Sequence, residues 1–374
     1  MASASIDGSL SKCCSTLFLQ LDAPNGPANQ VKNEVARQTF MNALRSGSNT
    51  AGHGELFNTI RGHWGKQDPY SGTNATVKAW VNVPNCIEAT DIVSSLCASG
   101  DEPAERRKQI DVKIEDGAER KGQFSPDLMD SICRESGNEI LAGELAGAAL
   151  NILKERNKRM MVKAETLAGN YANGTDSRTT RRTAKILNNT GGLSAQPFGF
   201  TTITREFDRQ NIIGQPILVG GYKLQDYMIA TNVAGFGAQS VNANNVNYTL
   251  GIEWYFDPSV NPVLNDAKST SAKDYALAWA PGAIQYIEHY DFFQYAHQGA
   301  DSRRIVLSIG GEDFDFFVKW DDCNSVYKWI LRKRFDLFYY PDSLYTTCGA
   351  EWNQKLLFEL GCGALDCTYD DSES

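Results

Sequence analysis

Few residues of this chain are placed for chemistry. Two of its four histidines flank an aromatic stretch, which gathers His289, Asp291 and His297 into one short segment. On a strand His289 and Asp291 share a face, because side chains alternate with a period of two, and imidazole with carboxylate suits a divalent metal. With His297 they would serve a cytoplasmic metal-assisted enzyme; the plainer reading is a strand end carrying outward polar groups, and it is preferred. Glu312, Asp313 and Asp315 follow Gly310-Gly311 and read as a solvated turn. Gly62-His63-Trp64-Gly65-Lys66 has the wrong spacing for a phosphate-binding loop and no Ser or Thr after the lysine. The serine-hydrolase elbow and the zinc-protease helix motif are both absent. No nucleophile, base and orienting group come together. No catalytic, cofactor-binding or metal-binding residue is therefore assigned, and no cofactor is expected.

Composition bounds the rest. The chain has 374 residues, 42% of them hydrophobic, enough for a sizeable core. A net charge of −9 argues against a dedicated nucleic-acid binder with a basic face. No apolar run approaches the ~18 residues of a membrane span. The first 20 residues lack a basic region and a long apolar run, so no signal peptide is read. The nine cysteines are scattered without Cys-x-x-Cys spacing, which suits free thiols in a cytoplasm. The Asn-x-Thr sequons at Asn74, Asn173, Asn188 and Asn247 carry no weight in that setting.

The elements that must position everything else centre on one stretch. Ser125 is a good helix cap and Pro126 a good first residue, and no further proline occurs before Gly169-Asn170. Apolar residues such as Leu128, Ile132, Leu141, Leu145, Leu153 and Met160 recur at helical spacing without a strict heptad. The spacing predicts a long helix over 125–169, with a bend or break near Gly137. Upstream, Ser15 to Leu21 reads as a strand and Asn29 to Arg45 as one amphipathic helix within a punctuated arm. Val77 to Val83 and Gln109 to Glu115 alternate as strands around a polar excursion holding a short helix near Glu88 to Ala98. Downstream, Asn211 to Gly221 is a strand whose Pro216 suggests an edge or bulge. Thr249 to Phe256, Tyr275 to Trp279 and Ile305 to Ile309 also read as strands, and Tyr327 to Tyr339 alternates over an unusually long run.

This order of elements resembles that of the major capsid proteins of tailed bacteriophages, the Hong Kong 97-like fold. Phrases carrying the resemblance include Gly214-Gln215-Pro216-Ile217-Leu218-Val219-Gly220, Trp254-Tyr255-Phe256-Asp257-Pro258 and Trp279-Ala280-Pro281-Gly282-Ala283. The resemblance implies an α+β fold with an N-terminal arm (1–75), an extended two-stranded loop (76–123), a peripheral domain with a spine helix (124–189 and 300–340) and an axial domain (190–299 and 341–374). It implies a structural protein, not an enzyme, that self-assembles as hexamers and pentamers into an icosahedral shell around double-stranded DNA. The virion is its implied location, with assembly in the host cytoplasm, and portal, scaffolding or cement proteins are further implied partners; no membrane is involved. Lys154, Lys158, Arg159, Arg178, Arg181 and Arg182 are then the candidates to face DNA, against the plainer reading of solvated charge. Such a subunit is expected to be a thin plate with protruding limbs, ordered fully only when identical copies clasp it.

Overall fold

The computed structural model describes residues 26–49, 75–82, 107–125, 135–168, 181–188, 194–195, 217–221, 224, 253–257, 274–279, 284–289, 302–339 and 355–363. Its frame is one helix laid across two sheets. The helix, here α3 after two short ones, spans Glu135–Ala168. It runs continuously through Gly137, Gly143 and Gly147, and at 1.5 Å per residue its length is about 50 Å. Residues 126–134, where the sequence places its start, lie outside the described residues. Leu141, Leu145, Ala149, Ile152, Leu153, Met160 and Ala164 are buried at the three- and four-residue spacing of one helical face. Burying each of the larger aliphatic chains contributes about 1.5–3 kcal/mol.

The first sheet has five strands. β10 (Ser302–Ile309), β11 (Glu312–Asp321), β12 (Val326–Tyr339) and β3 (Asp116–Phe124) follow one another, and β9 (Ile284–His289) also pairs with β12. All the pairings are antiparallel. Leu307 stands opposite Phe314, Phe316 opposite Leu331, and Val318 opposite Trp329. These residues are buried together with the first half of α3, so the alternation of β11 and β12 faces the helix. Gly310 and Gly311 form the two-residue turn from β10 to β11 with φ of +63° and +86°. Positive φ at both positions is what a tight hairpin turn requires. A Cβ on Gly310 would sit 2.9 Å from Val31, so a close approach adds to the demand for glycine there.

β12 joins the parts. One edge pairs with β11 over its first half and with β9 over its second; the other pairs with β3. β3 is separated by Glu115 alone from β2 (Arg107–Ile114), which pairs with β1 (Ala75–Asn82). The hairpin β1–β2 is therefore the continuation of a sheet strand past the end of its sheet. Among the described residues β1 and β2 have no other strand partner.

The second sheet is mixed, with the order β5 (Ser194–Ala195), β4 (Arg181–Asn188), β13 (Lys355–Gly363), β8 (Asp274–Trp279), β6 (Ile217–Gly220) and β7 (Glu253–Phe256). A second core joins it to the rest. Ile217, Val219, Leu277 and Trp279 of this sheet meet Met160 and Met161 of α3 and Phe335 and Leu337 of β12. Helix α1 (Ala28–Arg37) and helix α2 (Thr39–Asn49) cover these cores, with Val31, Phe40, Met41 and Leu44 fully buried.

Several expectations change here. The single helix over 29–45 is two helices, broken at Gln38 by tertiary hydrogen bonds that its side chain makes to α3. This part of the arm packs on the chain's own body and does not protrude from it. Pro216 precedes an interior strand, not an edge or bulge; β6 is bonded on both sides, and Ile217 is its first paired residue, so the missing N–H falls outside the ladder. The predicted strand at 15–21 and the short helix at 88–98 lie outside the described residues.

Candidate functional site

The chemistry-bearing residues divide into two places. The first is a buried group of charges. Arg156 of α3 is fully buried, and its Nη1 lies 2.9 Å from Oε2 of Glu312 and 3.4 Å from Oε1 of Glu288. Lys333 of β12, 1% exposed, lies 2.9 Å and 3.1 Å from the same two oxygens. Its Nζ also donates to the carbonyl of Asp313 at 3.0 Å. Two cations and two carboxylates thus pair with one another from α3, β9, β11 and β12, while among the described residues the atoms Arg156 Nε and Glu312 Oε1 are buried without a hydrogen-bond partner. Aromatic rings line the group: the Tyr286 ring lies 5.6 Å from the Arg156 guanidinium and the Phe314 ring 5.2 Å from the Lys333 ammonium.

Glu312 corrects the sequence reading. It opens strand β11, is 3% exposed, and is held by both cations, where a solvated turn was expected. Asp315 is also buried on β11 and accepts from Nε of Arg332 at 3.1 Å. The strand's partners sit far off in sequence, so nothing local to residues 310–315 signals their burial.

Gln38 draws the arm into this group. Its Oε1 accepts from Nη2 of Arg156 at 3.0 Å, and its Nε2 donates to the carbonyl of Leu153 at 3.1 Å. One residue on, Thr39 donates its hydroxyl to the carbonyl of Phe256, and the Phe40 N–H donates to Oδ2 of buried Asp257 at 3.0 Å. Asp257 in turn donates its N–H to Gly220 at 3.0 Å. The break between α1 and α2 is therefore fastened to the spine helix on one side and to the mixed sheet on the other. Lys163 and Asp336 form a further ion pair between α3 and β12, and Asp336 accepts from the Glu115 N–H at 3.0 Å where the hairpin begins.

The second place is a groove of about 500 Å³ between β3 and α3. Arg120, Lys154, Lys158 and Arg159 line it, with Glu119 and Glu155. Arg159 is tied down: its Nε meets Glu155 at 2.8 Å, and its Nη1 meets Asp116 at 2.8 Å and the carbonyl of Gly117 at 2.7 Å. The hydrogen bond to Glu155, then that to Asp116, raises the Arg159 pKa above its ordinary value. Glu119 pairs with Lys121 at 2.7 Å. Among the described residues no carboxylate pairs with Arg120, Lys154 or Lys158, and all three are exposed.

Of the six basic residues singled out from sequence, the structure brings Lys154, Lys158 and Arg159 together here. Arg120 joins them, and its place on β3 was the missing signal. Arg178 lies outside the described residues, and Arg181 and Arg182 lie on β4 in the other sheet. His289 ends β9 opposite Arg334, while Asp291 and His297 lie outside the described residues. Among the described residues no group of three His, Cys, Asp or Glu side chains is placed to hold a metal. Among the described residues, the assembled groups hold carboxylates against cations.

No protein-family profile matches the chain, and no curated protein matches it. Three solved structures that align with it are phage particles. The chain aligns with a protein of the cyanophage A-1(L) capsid at 8% identity and a TM-score of 0.47, over 76% of this chain and 88% of that one. For mycobacterium phage Che8 the identity is 11% and the TM-score 0.40, over 80% and 87%. For the satellite phage P4 procapsid, which includes a size-determination protein, the values are 9% and 0.34, over 84% and 93%. All three scores lie below 0.5.

Proposed function

We propose that this chain is a major capsid protein of the tailed-phage kind, a structural subunit that assembles with copies of itself into a closed shell around double-stranded DNA. The observation that carries the reading is the hairpin β1–β2. Its eight paired positions extend a sheet strand beyond the sheet, and among the described residues β1 and β2 pair with no other strand. A free two-stranded hairpin is marginal in water. Its register sets Val77 opposite Val112 and Ala79 opposite Ile110, an apolar pairing that gains stability by burial against another surface. A neighbouring copy supplies that surface in a shell.

The other features agree. A helix about 50 Å long and a 14-residue strand side by side make a stiff plate, as a wall requires. The assembled charges are ion-paired struts between helix and sheet. In this reading the peripheral part comprises α3 and the five-stranded sheet, and the axial part the mixed sheet. That division sets β4 with the axial part and β9 with the peripheral part. Arg178, Arg181 and Arg182 remain candidates to face the packaged DNA.

Electron microscopy of the purified protein tests the proposal. The expected result is closed hollow particles of uniform size. A discrete monomer or dimer under every assembly condition tried would overturn it.

A further inference from the structure

The groove between β3 and α3 carries three exposed cations without a carboxylate partner among the described residues, in a chain of net charge −9. Beside them runs an open strand. β3 pairs with β12 along one edge, and among the described residues nothing pairs with its other edge. An open edge offers unpaired N–H and C=O groups to an incoming strand. Among the described residues, Gly117 at its start is engaged, its carbonyl by Arg159 and its N–H by Oδ1 of Asp116. The β3 sequence is Asp-Gly-Ala-Glu-Arg-Lys-Gly-Gln-Phe, so a plain apolar strand meets charge here and is rejected. A strand of complementary charge is not.

We infer that this groove docks an extended acidic segment, residues 366–373 of a second copy, along the open edge of β3. The segment carries Asp366, Asp370, Asp371 and Glu373 and no basic residue. In an extended strand Asp371 and Glu373 share one face, so docking can turn both carboxylates toward Lys154, Lys158 and Arg120. Charge-assisted contacts of this kind are the stronger hydrogen bonds. A nucleic-acid duplex fits less well. It is much wider than one polypeptide strand, it leaves the backbone groups of β3 unmet, and its phosphates face Glu119 and Glu155 at the rim. The inference rests on the shell reading only in taking the segment from a neighbouring copy.

The test is a titration of a labelled synthetic peptide of sequence 366–373 with the full chain. The chain carries Asp366→Asn, Asp370→Asn, Asp371→Asn and Glu373→Gln, so that its own segment does not compete. Saturable binding is expected, weakened at least tenfold by Lys154→Glu with Lys158→Glu and again by Arg120→Glu. Lys32→Glu, on the exposed side of α1, leaves it unchanged. Equal binding by the charge-reversed chain overturns the inference, and so does displacement of the peptide by duplex DNA at equal total charge. Peptide that fails to bind while particles still form sinks the docking alone; peptide that binds while no particle ever forms sustains it and sinks the shell.

Discussion

Glu312, Arg156 and Lys333 show what single residues contribute. Burying four charges is expensive, and the arrangement holds because each finds its opposite. Removing one member leaves an uncompensated charge behind. Glu312→Ala is expected to lose about 3–5 kcal/mol in urea unfolding, since Arg156 and Lys333 would then share Glu288. A loss below 1 kcal/mol would show that water already reaches the group. At the turn from β11 to β12 the electrostatics are exposed and milder. Lys328 at 2.5 Å, then Asn324 at 2.7 Å, lowers the Asp321 carboxyl from an ordinary 3.8 to about 2. A carboxyl depressed in the folded state adds stability above its unfolded pKa and loses it as pH falls through the folded value. The turn's contribution should therefore fade between about pH 4 and pH 2, and Asp321→Asn should remove that part of the pH dependence of the melting temperature.

At the scale of elements, glycines separate the two environments of the plate. A Cβ on Gly143 or Gly147 meets nothing within 4 Å, because both lie on the solvent face of α3. Gly143→Ala and Gly147→Ala are each expected to raise stability by about 0.5–1 kcal/mol, as read by denaturant midpoints. On β3 the same change does the reverse. A Cβ on Gly122 would lie 2.4 Å from the Trp329 ring, so Gly122→Ala should destabilise by about 1–3 kcal/mol. The elements themselves were unevenly legible in the chain. α3, β8 and β12 announced themselves, because burial of one face leaves a period in the sequence. β3 did not: it is a charged edge strand with two glycines, held by the partner it borders. β4 opens on Arg181 and Arg182, and two charges at its start leave no apolar alternation to mark it as a strand. The buried charges were hidden for a related reason. A carboxylate beside two glycines looks the same whether it ends in water or against Lys333, and only the fold brings in residues 21 and 156 positions away.

At the scale of the whole molecule, the body and the hairpin should separate experimentally. The body has its own two cores, and residues 28–44 of the arm complete them. Replacing residues 76–112 with a short Gly/Ser linker is expected to leave the melting temperature within a few degrees and to abolish particles in electron micrographs. Particles of normal size from that variant would show that the hairpin is not a point of contact between copies. The hairpin strand continues straight into β3, whose nine register positions from Asp116 to Phe124 all lie along β12. Tension applied to the tip by a neighbour therefore runs parallel to the ladder. It strains all the rungs together in shear, where a perpendicular tug would peel them one at a time. A limb anchored this way transmits pull into the middle of the plate, and a lattice of such subunits, swollen from within, would share that tension among many bonds at once.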